Sequence, residues 1–278
     1  MSPTISIIKA SGVREPWDRA KLERSLRAAK TSDELVSEVI THVEKDLRDG
    51  MSTQDIYAHA FELLKRYDRP ASMQYGLRKA IMELGPSGFP FERFVAKILE
   101  REGYKTSVDV TVRGACVEHE VDIIAEKDDE RILVEAKFHN QPSLKSDVKV
   151  ALYVHARFQD IQKRLEQEES MDFNRAWLIT NTHFTLQAIQ YGICAGLAMT
   201  GWNSPKGRTL QDLIQSTQTH PITCLASLST DQKHRLLEEG VVLCRDILGD
   251  GTVLQKIGMS KAEVGATQSE GQMLCAPG

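Results

Sequence analysis

The chain has 278 residues, enough for two domains and a small additional piece. Its formal net charge of −4 gives no overall attraction to nucleic acid, so any DNA contact must come from a local basic patch. No apolar run approaches bilayer-spanning length and no signal-peptide pattern opens the chain, so the expectation is a cytoplasmic protein with no membrane partner.

The five cysteines, Cys116, Cys194, Cys224, Cys244 and Cys275, are scattered. That argues against a zinc ribbon or a disulfide framework and for a reducing compartment. The first stretch, residues 4–17, reads as a hairpin with a turn at Ser11-Gly12. Asp18 then caps a helix carrying Leu22, Leu26 and Ala29. A second helix opens near Thr31-Ser32, with Leu35, Val36, Val39, Ile40, Val43 and Leu47 on one face and Gly50 after it. Ser52-Thr53 caps a third helix, and Pro70 suits the first turn of a fourth that runs to about Leu84. Gly85-Pro86-Ser87-Gly88 breaks the chain, and the first domain is placed at residues 1–85.

Lys9, Arg14 and Lys21 flank the hairpin and the first helix. By spacing alone they read as solvated surface charges. The pattern I-x-K-x-x-G-x-x-E-P-W-D-R-x-K-L from Ile7 to Leu22, followed by short helices ending at Tyr75-Gly76-Leu77-Arg78, resembles an ATP-cone, the nucleotide-binding regulatory module of ribonucleotide reductases and their repressor. The resemblance covers roughly residues 3–84. It implies ATP or dATP as an effector, bound by Lys9, Arg14 and Lys21, with Lys9 and Lys21 on the phosphates. Where the family has a second basic residue after the first lysine, this chain has Ala10. No Walker pattern for hydrolysis occurs.

The next stretch, Phe89 to Tyr104, reads as a helix with Phe91, Phe94, Val95, Ile98 and Leu99 on its apolar face and Gly103 at its end. Glu92 sits near its N-terminus, where capping electrostatics suffices to explain it. A strand at about Lys105–Arg113 alternates Val108, Val110 and Val112. Two apolar runs follow, Val121–Ala125 and Ile132–Phe138, joined by a charged turn from Glu126 to Arg131. Side chains alternate along a strand, so Glu135 and Lys137 share a face with Leu133. The two either pair with each other or, with Asp122, form a divalent-metal site with hard oxygen ligands. Leu144 to Glu168 reads as a long helix. Lys145, Lys149, Tyr153 and Arg157 recur along it at i+4, either as a solvated face or as a ridge for a nucleic-acid backbone. Ala176–Thr180 reads as a buried strand, Phe184–Cys194 as a helix, Leu197–Thr200 as a short strand and Thr209–Gln215 as a closing helix. This order predicts a small mixed sheet with helices on both faces.

Glu92, Asp122, Glu135-x-Lys137, the basic helix and the run AWLITNTHFT together resemble the Mrr-type restriction endonucleases of the PD-(D/E)xK fold, over roughly residues 86–216. The resemblance implies Mg²⁺-dependent (or Mn²⁺-dependent) hydrolysis of DNA phosphodiesters. Asp122 and Glu135 would be metal ligands, with the Ala136 carbonyl as a further one. Lys137 would orient or activate water, and Glu92 would be the helix acid of the site. Two stretches depart from the family pattern, Glu118-His119-Glu120-Val121 and Phe138-His139-Asn140. Glu120 lies on the Asp122 face and is a candidate second acid of the metal shell. His119 points away toward a structural hydrogen bond, and His139 continues the Glu135–Lys137 face toward phosphate. Lys145, Lys149, Tyr153 and Arg157 are the candidate DNA contacts.

Residues 221–278 read as helical, with a cap at Ser229-Thr230, a stop at Gly240 and a weaker repeat from Ile257. The cadence is loosely like a helix-hairpin-helix module or a small packing appendage. The fold class expected is therefore α/β: a mainly helical ATP-cone at 1–85, a restriction-endonuclease-like mixed sheet flanked by helices at 86–220, and a small helical region at 221–278. The leading expectation is a nucleotide-regulated DNA endonuclease acting as a homodimer or higher homo-oligomer. The alternative is a nucleotide-switched DNA-binding regulator on a nuclease-like scaffold.

Overall fold

The computed structural model describes residues 5–9, 12–29, 31–167 and 173–275. Ala10, Ser11 and Glu168, each part of an expectation above, lie outside those residues. The chain divides into two compact units, Met1–Lys79 and Ala80–Gly278.

The first unit opens with β1 (Ser6–Ile8) and β2 (Arg14–Pro16), paired antiparallel. Four helices follow: α1 (Arg19–Ala28), α2 (Asp33–Asp46), α3 (Thr53–Tyr67) and α4 (Arg69–Met82). Side-chain caps set three of the starts. Asp18 accepts from Ala20 N, Ser32 from Leu35 N, and Ser52 forms a reciprocal capping box with Asp55. Their apolar stripes meet in one core built on Ile7, Leu22, Leu26, Val36, Val39, Ile40, Val43, Ile56, Ala60, Leu64 and Ala71. Tyr75 stacks on Tyr57 with ring centroids 5.0 Å apart, and burial pushes its hydroxyl up to about 12.

The second unit begins with α5 (Phe89–Arg101) and continues with β3 (Lys105–Arg113), β4 (Glu118–Lys127) and β5 (Glu130–Lys137). Then come β6 (Lys145–Ser146), α6 (Val148–Gln167), β7 (Arg175–Thr180), β8 (His183–Phe184), α7 (Leu186–Ala195), β9 (Ala198–Thr200) and α8 (Leu210–Thr217). The main sheet has five strands in the order β3-β4-β5-β7-β9. The first three are antiparallel; β5, β7 and β9 run parallel. Ala151, Val154 and Ile161 of α6 and Ala188 of α7 pack on the face that carries Leu133 and Leu178. Phe91 of α5 meets the Phe138 ring, 5.6 Å between centroids, on the face that Val134 and Ala136 share by alternation. The sheet is thus mixed and covered by helices on both sides, as its pattern predicts.

Several expected boundaries change: Phe184, expected to open a helix, lies on β8, and α7 starts at Leu186. The charged turn shrinks to Asp128-Asp129, because opposite charges face each other across the ladder and extend both strands. Glu126 pairs with Arg131, bridged at 3.0 Å, and Lys127 with Glu130. The long helix starts at Val148 instead of Leu144. Asp147 Oδ1 accepts from the amides of Lys149 and Val150 and so caps it there. Lys145 and Ser146 instead form β6, parallel to β8.

The C-terminal part carries two short 3-10 turns, α9 (Thr230–Glu238), α10 (Thr252–Lys256) and α11 (Lys261–Cys275). Ser229 caps α9 with a capping box to Gln232, and Gly240 takes φ +79 after it. Buried Glu270 accepts from Ala226 N and Ser227 N at 2.8 and 3.0 Å, which ties α11 to the loop before α9. The five cysteines are all free. Among the described residues no helix is long and apolar enough to cross a membrane.

Candidate active site

The β4–β5 ladder runs from Lys127↔Glu130 to Ile123↔Val134 and stops. One residue further along β4, Asp122 Oδ2 accepts from the backbone amide of Ala136 at 2.7 Å. The carboxylate thus takes the amide that would otherwise need a ladder partner, and it does so where the strands part. Asp122, Glu135 and Lys137 are brought together there. Glu92, in the first turn of α5, joins them electrostatically. Burial, then Asp122, Glu135 and Asp109, push the Glu92 carboxyl up to about 7. Burial also raises Asp122, partly offset by the Ala136 amide, Arg157 and Lys137. Glu135 is raised by burial and by Asp122, against Arg157 and Lys137. Burial is the leading cause in all three, and the like charges that add to it come from carboxylates of the same group.

Asp109 is a member of this group that period-2 reading hides. Between Val108 and Val110 it reads as an ordinary solvent-facing strand residue. In the structure the β3–β4 ladder pairs Val108 with Ile123 and Val110 with Val121, which puts Asp109 level with Asp122. Asp109 adopts φ 54 there, a left-handed conformation that interrupts the strand. Only strand register, which needs the folded sheet, could have found it. Glu120 is exposed and is not among the main charges acting on Glu92, Asp122 or Glu135, whereas Asp109 acts on Glu92 and Asp122.

The expected i+4 ridge is broken at both ends. Lys145 lies on β6, not on the helix. Arg157 turns inward, with its side chain 8% exposed, and donates from Nη1 to Glu135 Oε2 at 2.5 Å. Its Nη2 donates to the Tyr153 hydroxyl at 2.8 Å, and its guanidinium lies over the Tyr153 ring. Glu135 thus pairs with Arg157 rather than with Lys137. Lys149 and Tyr153 remain exposed on α6. His119 bonds Asp160 at 2.8 Å, and Asp160 also accepts from the Cys116 amide. His139 is committed to Ser146 Oγ at 2.9 Å instead of facing open solvent. The segment after Lys137 is held by Asn181, whose side chain accepts from His139 N and donates to His139 O. Asn181 is almost wholly buried; its sequence setting, a polar residue ending an apolar strand, suggests only a turn.

Among the described residues no three His, Cys, Asp or Glu side chains converge closely enough to hold a metal ion unaided. The donor chemistry still fits Mg²⁺. That ion is commonly held by one or two carboxylates, with water and substrate phosphate filling the remaining positions. Asp122 and Glu135 are two such carboxylates, crowded and partly desolvated.

In the first unit, Lys9 and Lys21 both bridge to Glu15, at 2.7 and 3.0 Å. Those ammonium groups, Lys9 first, hold the Glu15 carboxyl below its usual range. Arg14 stands apart, 3.7 Å from Asp49.

Comparison with known proteins finds three family models along the chain. The ATP cone domain model matches residues 5–74. The Mrr_cat restriction endonuclease model matches residues 85–198, and an AF1548-like C-terminal model matches residues 220–275. The fold and the motif-bearing strands thus define a restriction-endonuclease-like protein fronted by an ATP cone. An uncharacterized protein of Archaeoglobus fulgidus is 38% identical over 167 residues, covering 60% of this chain and 91% of the relative. The crystal structure of the protein of unknown function AF1548 aligns with TM-score 0.57 and 34% identity, covering 68% of this chain and 98% of that one. The chain belongs to this AF1548-like family.

Proposed function

We propose that the protein is a nucleotide-regulated, divalent-metal-dependent DNA endonuclease. Residues 1–85 would bind the nucleotide, 86–220 would form the nuclease, and 221–278 would form an accessory helical region. The observation that carries this reading is the meeting of Asp122, Glu135 and Lys137 where β4 and β5 separate, with Glu92 beside them. Asp122 and Glu135 would hold Mg²⁺ or Mn²⁺. Such an ion supplies a polarised phosphoryl oxygen and a bound water of lowered pKa. The Lys137 ammonium is suited to stabilise negative charge developing on the phosphate. Asn181 fixes the backbone that follows Lys137 and so limits its wander. Lys149 and Tyr153, with Lys145 on β6, offer charge and a stacking ring for a DNA backbone, a smaller surface than a four-residue ridge. Lys9 and Lys21 already share one anionic group, Glu15, which supports a phosphate of ATP or dATP as their ligand. Cutting both strands of a duplex calls for two active sites, so the working form is a homodimer or higher homo-oligomer.

The test is a nicking and linearisation assay with Mg²⁺ or Mn²⁺ on duplex, junction and flap DNA, run beside Asp122→Ala and Lys137→Ala. Absence of cutting by the wild type, or equal cutting by the variants, sinks the proposal. One observation favours a second reading, a DNA-binding regulator: the pairing of Glu135 with Arg157. That reading expects DNA retention that is independent of Mg²⁺ and unchanged by Glu135→Ala.

A further inference from the structure

Arg157 has no place in the function proposed above, yet it is the most buried charge of the region. It leaves the exposed line of α6 and inserts between that helix and β5. Two of its guanidinium nitrogens are used, one on Glu135 and one on Tyr153. Its buried Nε has no hydrogen-bond partner among the described residues. The charges in reach are four carboxylates, Glu92, Asp109, Asp122 and Glu135, against two cations, Lys137 and Arg157. Even with Glu92 protonated, three carboxylates face two cations, which favours a further cation at the site. In this structure, however, the guanidinium already holds Glu135 Oε2, at 2.5 Å.

We infer that Arg157 is the resident counter-ion of the site, holding Glu135 in the metal-free protein and competing with the divalent cation for it. The inference rests on the metal-dependent reading of Asp122 and Glu135. It explains why no metal-ready cluster is assembled although the carboxylates lie together: Glu135 is drawn toward α6, and Asp122 is engaged by the Ala136 amide. A divalent ion and a guanidinium on one small carboxylate repel each other at short range, so loading the metal weakens the guanidinium's hold and favours its release. Tyr153 gives it somewhere to go. Its hydroxyl orients the guanidinium toward Glu135 in the metal-free site, while its ring, on a residue 58% exposed, keeps the released fork at the site mouth, where it can take up a phosphate bidentately. A plain structural ion pair predicts something different: loss of Arg157 would destabilise the fold, and the charge-conserving Tyr153→Phe would leave metal affinity unchanged.

The experiment is a titration of metal-free full-length protein with Mn²⁺, free Mn²⁺ being read by electron paramagnetic resonance. The proteins compared are wild type, Arg157→Gln, Tyr153→Phe and Glu135→Gln. Arg157→Gln is expected to bind Mn²⁺ roughly tenfold tighter, the scale of one charge-assisted hydrogen bond removed from a competitor. Tyr153→Phe should tighten binding by less, and Glu135→Gln should weaken it. DNA cleavage by Arg157→Gln should fall although its metal is held more tightly, a split that a structural role does not produce. Unchanged or weaker Mn²⁺ binding by folded Arg157→Gln overturns the inference. If that variant does not fold, Tyr153→Phe decides, and unchanged binding overturns it. Mn²⁺ binding by none of the proteins also overturns it. Tighter binding by Arg157→Gln in a protein that cuts no DNA keeps the inference and removes the nuclease reading.

Discussion

Glu135 shows how a single side chain can belong to two chemistries. Its strand position gives it a lysine neighbour on the same face, but α6 delivers a better partner from outside, and the arginine fork prevails by geometry. Asp122 is bound just as firmly, to a backbone amide. Removing either the Asp122 carboxylate or the Lys137 ammonium should lower cleavage by about 100-fold or more, measured as initial nicking rate at saturating Mg²⁺. Asp109 pushes against Glu92 and Asp122 while holding a left-handed backbone that asparagine tolerates equally well. Asp109→Asn should therefore stabilise the metal-free protein by up to about 1 kcal/mol, read from urea unfolding at pH 8. A loss of stability would mean that Asp109 is held by contacts outside the carboxylate group.

At the scale of elements, the β4–β5 hairpin and its neighbour loop carry the site. The hairpin turns on Asp128 at φ 52, a conformation that glycine reaches at lower steric cost. Asp128→Gly should raise stability by about 0.5 kcal/mol with no change in cleavage, checked by thermal melting beside the nicking assay. The β3–β4 loop is tied to α6 through Asp160, which accepts from the Cys116 amide and from His119, while the Gly114 amide donates to Val117 O. The His119 hydrogen bond, then that from Cys116, brings the Asp160 carboxyl down to about 2. A depressed carboxyl contributes stability that is complete above its unfolded pKa of about 4 and is lost as pH falls through the folded value. Wild type should thus lose this contribution between about pH 4 and pH 2. Asp160→Asn should be less stable at pH 7 and should lack that part of the acid transition, as followed by circular dichroism. Gly114 cannot be enlarged there without a shift, because a Cβ would run into the Asp160 carboxylate and the Val117 carbonyl oxygen.

At the scale of the molecule, the chain forms two compact units. Each has its own basic and acidic groups: Lys9 and Lys21 on Glu15 in the first, the carboxylate group with Lys137 and Arg157 in the second. Calorimetry with ATP, dATP and ADP should find binding to the wild type and its largest loss in Lys21→Ala. The same variant should titrate with Mn²⁺ as the wild type does. No binding of any of the three nucleotides would reduce the first unit to a structural module.

Much of this architecture can be read without the fold, because it is local. Ser32, Ser52 and Ser229 announce helix starts by the amides they accept, and period-2 alternation in β5 separates Leu133 from Val134. Spacing alone also marks Asp122, Glu135 and Lys137 as candidates. What spacing does not carry is register and approach from distant segments. Asp109 meets Asp122 only because β3 pairs with β4 in one register. Asn181 clamps His139 across 42 residues, and Lys145 leaves the helix because β8 offers it a strand partner. Arg157 fits the periodicity of an exposed ridge, yet the unsatisfied negative charge beneath α6 draws it inward. The amino-acid sequence by itself determined most of the elements, the α/β class and the residue types that are candidates for metal and phosphate chemistry, since these follow from local propensity and residue type. The tertiary structure alone decided which of those charges meet, because long-range electrostatic pairing depends on packing that no short stretch of chain contains.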